Sequence, residues 1–485
     1  MKRNDWGRVT TIVWVAAVLA CGGAGGENSS GSSTQAPAVV SVSPLPDDSA
    51  VAAAATVSAT FDANMTAASA ATFVVYGSLT GKRSGTFSGG GGAPLSFDPS
   101  GDFKDGELVE VTLTRGLTST GGLALDPPYV FRFTVETGGG TGVFASSQTV
   151  PGRANAVAVA AGDWDGDGDV DLAVAEFGAD RVTLLANSGA GVFSPAAALN
   201  LQVGVSALAV GDWDGDGDLD LAAANFGTNS VAILENDGSG NFTLSGTIAG
   251  RLGAKALAAG DWDGDGDLDL AVADSSSNSV AVLRNDGTGT FTLAGTVSGL
   301  AGVSALAAGD WDGDGDLDLA AANFGSITVA VLTNDGTGGF AISATVTGMA
   351  NARALAAGDW DGDGAPDLAV GNSGSNSVAI LKNNGSGAFA LQQTLAGQIN
   401  VAALVAGDWD ADGDLDLAVA NFGADSLAVL KNNGSGSFAT DPLDDVAGLV
   451  GVSGLAAGDF NADGSLDLAT ADRGSNSVQI LINQP

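Results

Sequence analysis

The chain has 485 residues, 45% of them hydrophobic and 74 of them Gly, and its 56 acidic residues against 17 Lys and Arg give a formal net charge of -39. That balance argues against phosphate-directed binding of nucleic acid or of an anionic lipid surface. His is absent, which removes the usual general base, zinc ligand and pH switch together, and the single Cys, Cys21, has no internal disulfide partner.

Lys2, Arg3 and Arg8 accompany an apolar stretch at residues 9–20 that is too short to span a bilayer comfortably, so residues 1–20 read as an export signal. The stretch ends Val18-Leu19-Ala20-Cys21, which resembles the lipobox of bacterial lipoproteins. That resemblance implies acylation of Cys21 and membrane attachment through this residue alone, which multiple acyl chains would make firm. The competing reading is an ordinary cleaved secretory signal with an incidental Cys. Residues 21–37 hold no apolar side chain able to build a core and read as a flexible tether. Gly22, standing where enteric-type lipoproteins retained in the inner membrane have Asp, favours an outer-membrane or cell-surface location by the same resemblance.

Residues 38–136 contain short alternating runs at 39–42, 56–61, 72–76, 95–97, 108–113 and 129–134, separated by Gly, Pro and Asp. Such spacing predicts a β-sandwich. The segments PLPDDSAV, TFDANM, LSFDPSGDFKDGELVEVTL and YVFRFTV resemble the bacterial Ig-like modules of surface and S-layer proteins. Lys82, Arg83 and Lys104 read as scattered charges on a solvated face, and the domain as a spacer or accessory binding module. Residues 137–142 are a Gly-rich linker.

From residue 143 onward one unit recurs. The block GDWDGDGDVDLAV and its six variants begin at Gly162, Gly211, Gly260, Gly309, Gly358, Gly407 and Gly458, five steps of 49 residues and one of 51. A period near fifty without helical patterning predicts the blades of a β-propeller, with four strands per unit. The runs LAVA and VAVL are continuously apolar, as expected of strands covered on both faces by neighbouring blades. The chain enters with a lone outer strand at residues 143–150 and lacks one after residues 477–482, so the first strand is expected to complete the seventh blade. An open solenoid would instead need capping repeats. The fold class is therefore all-β, a seven-bladed propeller at residues 143–485 preceded by an Ig-like sandwich.

Asp163, Asp165, Asp167 and Asp171 stand at positions 1, 3, 5 and 9 of the first loop, with Gly168 at position 6 for the sharp turn and the Asp169 carbonyl available at position 7. Hard oxygen ligands at this spacing suit calcium; magnesium demands a tighter octahedron, and zinc and copper lack their preferred His or Cys. An EF-hand is excluded because Val174 replaces Glu at position 12 and strands flank the loop. The pattern resembles the FG-GAP or VCBS-type repeat family, including the integrin α propeller. Carried onto this chain, the resemblance implies Asp212, Asp214, Asp216 and Asp220 in blade 2, Asp261, Asp263, Asp265 and Asp269 in blade 3, and Asp310, Asp312, Asp314 and Asp318 in blade 4. Blade 5 would use Asp359, Asp361, Asp363 and Asp367, blade 6 Asp408, Asp410, Asp412 and Asp416, and blade 7 Asp459, Asn461, Asp463 and Asp467, with Asn461 marking the weakest site. These loops hold 32 of the 56 acidic residues, and seven Ca2+ would bring -39 to -25.

Trp164, Trp213, Trp262, Trp311, Trp360 and Trp409 all follow the first loop Asp and read as packing between blades in preference to sugar-stacking platforms; Phe226, Phe324 and Phe422 likewise read as core. The blades look nearly identical, so no one of them marks a ligand site. The functional expectation is a monomeric, calcium-stabilised binding or adhesion scaffold, not an enzyme, with a protein or glycan ligand at a cell surface or matrix. A lectin or polysaccharide lyase, and a purely architectural envelope protein, are the alternatives; absent His and only two Tyr, Tyr76 and Tyr129, both outside the propeller, weigh against a lyase.

Overall fold

The computed structural model describes residues 35–200, 203–440 and 445–485; the expected export signal, Cys21 and most of the expected tether lie outside them. The N-terminal sandwich consists of β1 (Val39–Ser43), β2 (Val57–Phe61), β3 (Phe73–Gly77), β4 (Gly81–Lys82), β5 (Gly85–Gly90), β6 (Ala93–Pro99), β7 (Leu108–Leu113) and β8 (Tyr129–Thr134). Its sheets run β1-β2-β6-β5 and β4-β3-β7-β8. Strands β4 and β5 fall where Gly-rich sequence reads as a separator; β5 exists because β6 supplies its ladder partner. Phe73 and Val75 of β3, Val109 and Val111 of β7, and Phe131 and Phe133 of β8 point into the sandwich core with Leu95 and Phe97. By the two-residue period their neighbours Val74, Tyr76, Glu110, Thr112, Val130 and Arg132 point the other way.

β9 (Phe144–Pro151) opens the ring. Each blade then has an inner strand a, middle strands b and c and an outer strand d, in antiparallel order; in blade 1 these are Ala156–Gly162, Asp171–Glu176, Arg181–Asn187 and Phe193–Asn200. Blade 7 (Val452–Gly458, Asp467–Asp472, Ser477–Asn483) takes β9 as its outer strand, so the ring closes by pairing segments from its two ends. The 51-residue step is absorbed in blade 6, whose outer strand is split into Phe438–Thr440 and Val446–Ala447, each paired separately with Ser426–Asn432.

The six Trp and Phe460 lie in the blade interfaces and are buried. Each ring meets, edge-on, the Phe that opens the outer strand of the next blade: Trp164 with Phe242 at 5.9 Å, Trp409 with Phe144 of β9 at 5.8 Å, and Phe460 with Phe193 at 5.3 Å, completing the circle. The Gly that ends strand a makes room for it, since a Cβ on Gly309 would stand 2.8 Å from the Trp311 ring. None of the six indole N–H groups has a hydrogen-bond partner in the protein, which is why Phe460 can replace Trp without leaving an acceptor unpaired. Phe226 and Phe324 depart from expectation: at 40% and 44% exposure they stand outside the core, on turns between strands b and c.

The outward face of the β4-β3-β7-β8 sheet is seated on the Asp-loop side of the ring. Val74 and Tyr76 join the core cluster of Trp213 and Leu268, and Val130 that of Trp262 and Leu317. A largely buried Arg132–Glu110 ion pair spans the seam, with Arg132 donating to Ala259 O at 3.1 Å and Asp261 N donating to Glu110 Oε1 at 3.0 Å. Backbone carbonyls at loop position 6 take further bonds: Gly168 O from Lys104 Nζ at 2.7 Å, Gly315 O from Val130 N at 2.7 Å, Gly413 O from Ser49 Oγ at 3.2 Å and Gly464 O from Gly138 N at 2.7 Å. The solvated-face reading of this domain's cations is thus corrected. Lys104 docks on blade 1, Arg83 donates to the Gly101 and Asp102 carbonyls, and Lys82 lies over the Tyr76 ring. The sequence had hidden the docking because a strand covered by a second domain shows the same alternation as one facing water.

Because the indole N–H is idle, Trp311→Phe is expected to cost under about 1.5 kcal/mol, the range of tolerated apolar swaps, whereas Trp311→Ala opens a cavity worth about 3–5 kcal/mol. Urea unfolding of the two variants checks this; equal losses would show that the polar edge of the indole matters after all.

Candidate metal centres

Each loop is a turn organised around its first carboxylate. In blade 1, Asp163 accepts from Gly166 N at 2.9 Å and Gly168 N at 3.1 Å, and in blade 3 Asp261 accepts from Gly264 N and Gly266 N, both at 2.8 Å. Asp165 and Asp167 accept from the backbone two residues on, as Asx turns. Position 4 has a left-handed backbone, natural for Gly166 at φ 71°, but held by Ala411 at φ 56° in blade 6 and Ala462 at φ 58° in blade 7. These two loops therefore carry backbone strain on the order of 1–2 kcal/mol that the other five lack.

The position-9 Asp begins strand b and is buried. Asp171 accepts from Asn187 N at 2.7 Å through Oδ1 and from Trp164 N at 3.3 Å through Oδ2. Asp220, Asp269, Asp318, Asp367, Asp416 and Asp467 repeat the arrangement with Asn236, Asn285, Asn334, Asn383, Asn432 and Asn483. Without a cation, burial pushes the Asp269 carboxyl up to about 9, those of Asp220, Asp318 and Asp416 up to about 8, and those of Asp171, Asp367 and Asp467 up to about 7, against the pull of these N–H groups.

Carboxylate oxygens of positions 1, 3 and 9 lie within 4.8 Å of one another in blades 1, 2, 4 and 5 (Asp163, Asp165, Asp171; Asp212, Asp214, Asp220; Asp310, Asp312, Asp318; Asp359, Asp361, Asp367). In blade 3 the convergent set is Asp261, Asp263 and Asp265. The expected position-5 ligands Asp167, Asp216, Asp314 and Asp363 are outside these groups, their Oδ1 atoms accepting from residue 7. In blade 6, Asp408 accepts from Asp412 N and Gly413 N, and Asp416 from Trp409 N. In blade 7, Asp459 accepts from Gly464 N, while the Asn461 amide donates to Asp463 Oδ2 at 2.9 Å, so Asn461 spends a donor where its counterparts offer only acceptors.

These residues fit a hard divalent cation. Oδ1 of Asp263, Asp312, Asp361 and Asp410, all at position 3, is buried with no hydrogen-bond partner, a costly state for a carboxylate unless a cation meets it.

The blades are less alike than their loops suggest. The residue before the strand-c Asn is Ala186, Glu235, Arg284, Thr333, Lys382, Lys431 and Ile482 in blades 1 to 7. Arg284 pairs with Asp263 and Asp265, Lys382 with Asp361 and Asp363, and Lys431 with Asp410 at 3.7 Å. Glu235 instead adds negative charge beside Asp214. Three loops thus carry an internal cation that would compete with a metal for these carboxylates, and blade 2 carries one acid more. The signal was present in the sequence, one residue before the invariant Asn, outside the block whose repetition draws the eye.

An Arg284→Met, Lys382→Met double variant is expected to bind a lanthanide probe about tenfold more tightly at its altered loops, a change of ~1.4 kcal/mol. Terbium luminescence sensitised by the loop Trp residues reads this as a larger early phase of the titration; superimposable curves would remove the internal cations from the account.

No curated protein sequence matches the chain. Among solved structures, BBS1N in complex with ARL6DN shares 13% identity at a TM-score of 0.50, covering 71% of this chain and 98% of that one. A Lactobacillus plantarum protein shares 16% identity at a TM-score of 0.49, with 79% and 98% covered. An Agrocybe aegerita lectin described as recognising non-reducing terminal N-acetylglucosamine shares 19% at 0.43, with 90% and 100% covered. At 13% identity the likeness to the first of these is one of fold alone. The FG-GAP-like repeat family matches residues 123–174, 163–223, 212–272, 261–321, 310–370, 359–419 and 408–470, and the bacterial Ig-like domain family matches residues 33–135. With all seven Asp loops lying within these matches, the chain belongs to the FG-GAP-like repeat family, as a seven-bladed β-propeller preceded by a bacterial Ig-like domain.

Proposed function

We propose that this protein is a calcium-stabilised binding scaffold, exported and held at the outer membrane or cell surface through a lipidated Cys21, and that it carries no catalytic activity of its own. The observation that carries the reading is the seating of the Ig-like domain on the Asp-loop side. It leaves the opposite side of a rigid ring as the broad surface open to a protein or glycan ligand. Calcium is favoured over other metals by an all-oxygen donor set without His or Cys, and by the spread of charge among loops, which suits a flexible coordination shell. Against a lyase, the Tyr76 and Tyr129 phenols are held above their ordinary range by burial, so neither is poised as a base.

Extracellular calcium sites bind at roughly 10⁻⁴ to 10⁻³ M, so the metal's contribution is modest per loop and summed over the ring. The pH dependence follows from the raised position-9 carboxyls. Metal-free, the folded ring binds more protons than the unfolded chain between the ordinary carboxyl value of 3.8 and values of about 7 to 9. Its stability is therefore fullest at acid pH and falls as pH rises through that window. Calcium requires the ionised forms, so the loaded protein should lose stability on acidification instead. Thermal melts of metal-stripped protein and of protein in millimolar calcium, at mildly acid and mildly alkaline pH, should cross in this sense. A calcium-insensitive midpoint at alkaline pH would refute the structural role.

For the anchor, the native protein should partition into detergent and the Cys21→Ser variant into the aqueous phase. Equal partitioning of both would leave residues 1–20 as an ordinary secretory signal.

A further inference from the structure

We propose that the end of the ring axis remote from the Asp loops is an anion site formed by Lys255, Arg353 and Arg473, taking the sulfate or carboxylate groups of an acidic glycan. This rests on the reading that the side opposite the Ig-like domain is the binding surface, and gives that surface a ligand class. Lys255 is the second residue of strand a in blade 3 (Ala254–Gly260) and Arg353 the second in blade 5 (Ala352–Gly358), while Arg473 follows strand b of blade 7. Strand a ends at the Asp loop, so its beginning lies at the far end of the ring. The three cations therefore come from alternate blades and share one end of the axis.

Their partners are neutral. Arg353 donates to Asn400 Oδ1 at 3.3 Å and lies over the Phe422 ring at 5.6 Å, and Arg473 Nε donates to Asn155 Oδ1. The carboxylates of this side pair or hydrogen-bond with other groups, with one oxygen each of Asp274 and Asp472 left without a partner. Glu176 is held by Arg153 and Arg181, Asp274 pairs with Arg251, Asp472 accepts from Thr470, and Asp180 and Asp425 accept from Gly204 N and Gly451 N. Among the described residues, none forms an ion pair with the three cations. Burial lowers the affinity of Lys255 for its proton, and Arg353 and Arg473 lower it further; Arg473 does the same to Arg353. Like charges within reach of one another and without a counter-ion are an arrangement that an external anion relieves.

The net charge of the chain does not forbid this. A seven-residue strand is ~20 Å long, so the Asp loops stand more than two Debye lengths of about 8 Å away at physiological salt. Lys255 is exposed on an inner strand beside the ring axis, where a pendant sulfate or carboxylate fits more readily than a plane of lipid headgroups. The exposed Phe226 and Phe324 on the surrounding turns offer flat apolar faces of the kind on which sugar rings stack.

The test uses the mature chain in calcium, with dextran sulfate as probe, neutral dextran as control, and phosphatidylglycerol-containing vesicles as the competing surface. Dextran sulfate should bind and neutral dextran should not, with affinity falling as salt rises and dropping at least tenfold in Lys255→Gln, Arg353→Gln. Should that pair unfold, Lys255→Gln alone should still weaken binding severalfold at an unchanged melting temperature. Absence of binding, binding unchanged in both variants, or preference for the vesicles over dextran sulfate would overturn the proposal. If the protein nonetheless adheres to intact cells, the scaffold reading stands and only the anion site fails.

Discussion

The asparagine that closes strand c in every blade joins that blade to the one before it. In blade 2 the Asn236 amide donates to the Trp164 carbonyl at 2.8 Å, and in blade 1 Asn187 donates to Phe460 O at 2.9 Å, so the series runs round the ring without a break. The same residue's backbone N–H holds the position-9 carboxylate. A candidate metal ligand and an interblade joint are thus neighbours along a few bonds. Whatever fixes the carboxylate also fixes the asparagine, and a local binding event is felt as rigidity between blades.

Much of this was legible because repetition amplifies weak signals. One Asp-rich block would be an acidic turn; seven at near-constant spacing dictate strand number, blade number and the place of the loops. The closing strand was readable too, since residues 143–150 had no other partner. What stayed hidden had no periodic signature. Glu110 and Arg132 alternate with apolar residues as any half-exposed strand would, and only the presence of blade 3 beneath them makes them a largely buried pair. Strand β5 was lost for a related reason, because its Gly-rich sequence has no strand tendency apart from its neighbour β6. Phe226 and Phe324 misled in the opposite direction: large apolar residues are core by default, and these stand on turns.

The Ig-like domain changes the chemistry of the side it covers. The position-6 carbonyls that receive Lys104, Val130 N, Ser49 and Gly138 N belong to the loops whose carboxylates converge. Loop shape and domain seating are consequently read from the same backbone, and the acidic side of the ring is partly sheltered while the cationic end remains open. The Asp-loop end and the end carrying Lys255, Arg353 and Arg473 thus differ in charge and in access.

Ring closure pairs Ser146 with Gln479, 333 residues apart in the chain. Contacts that distant are entropically dear to form and govern folding speed. Synthesis from the amino end leaves β9 waiting, an unsatisfied edge, until residues 477–483 emerge. During that interval six complete blades hang as an open arc, and chaperone attention, proteolysis and accidental exchange of outer strands between molecules all have their opportunity there.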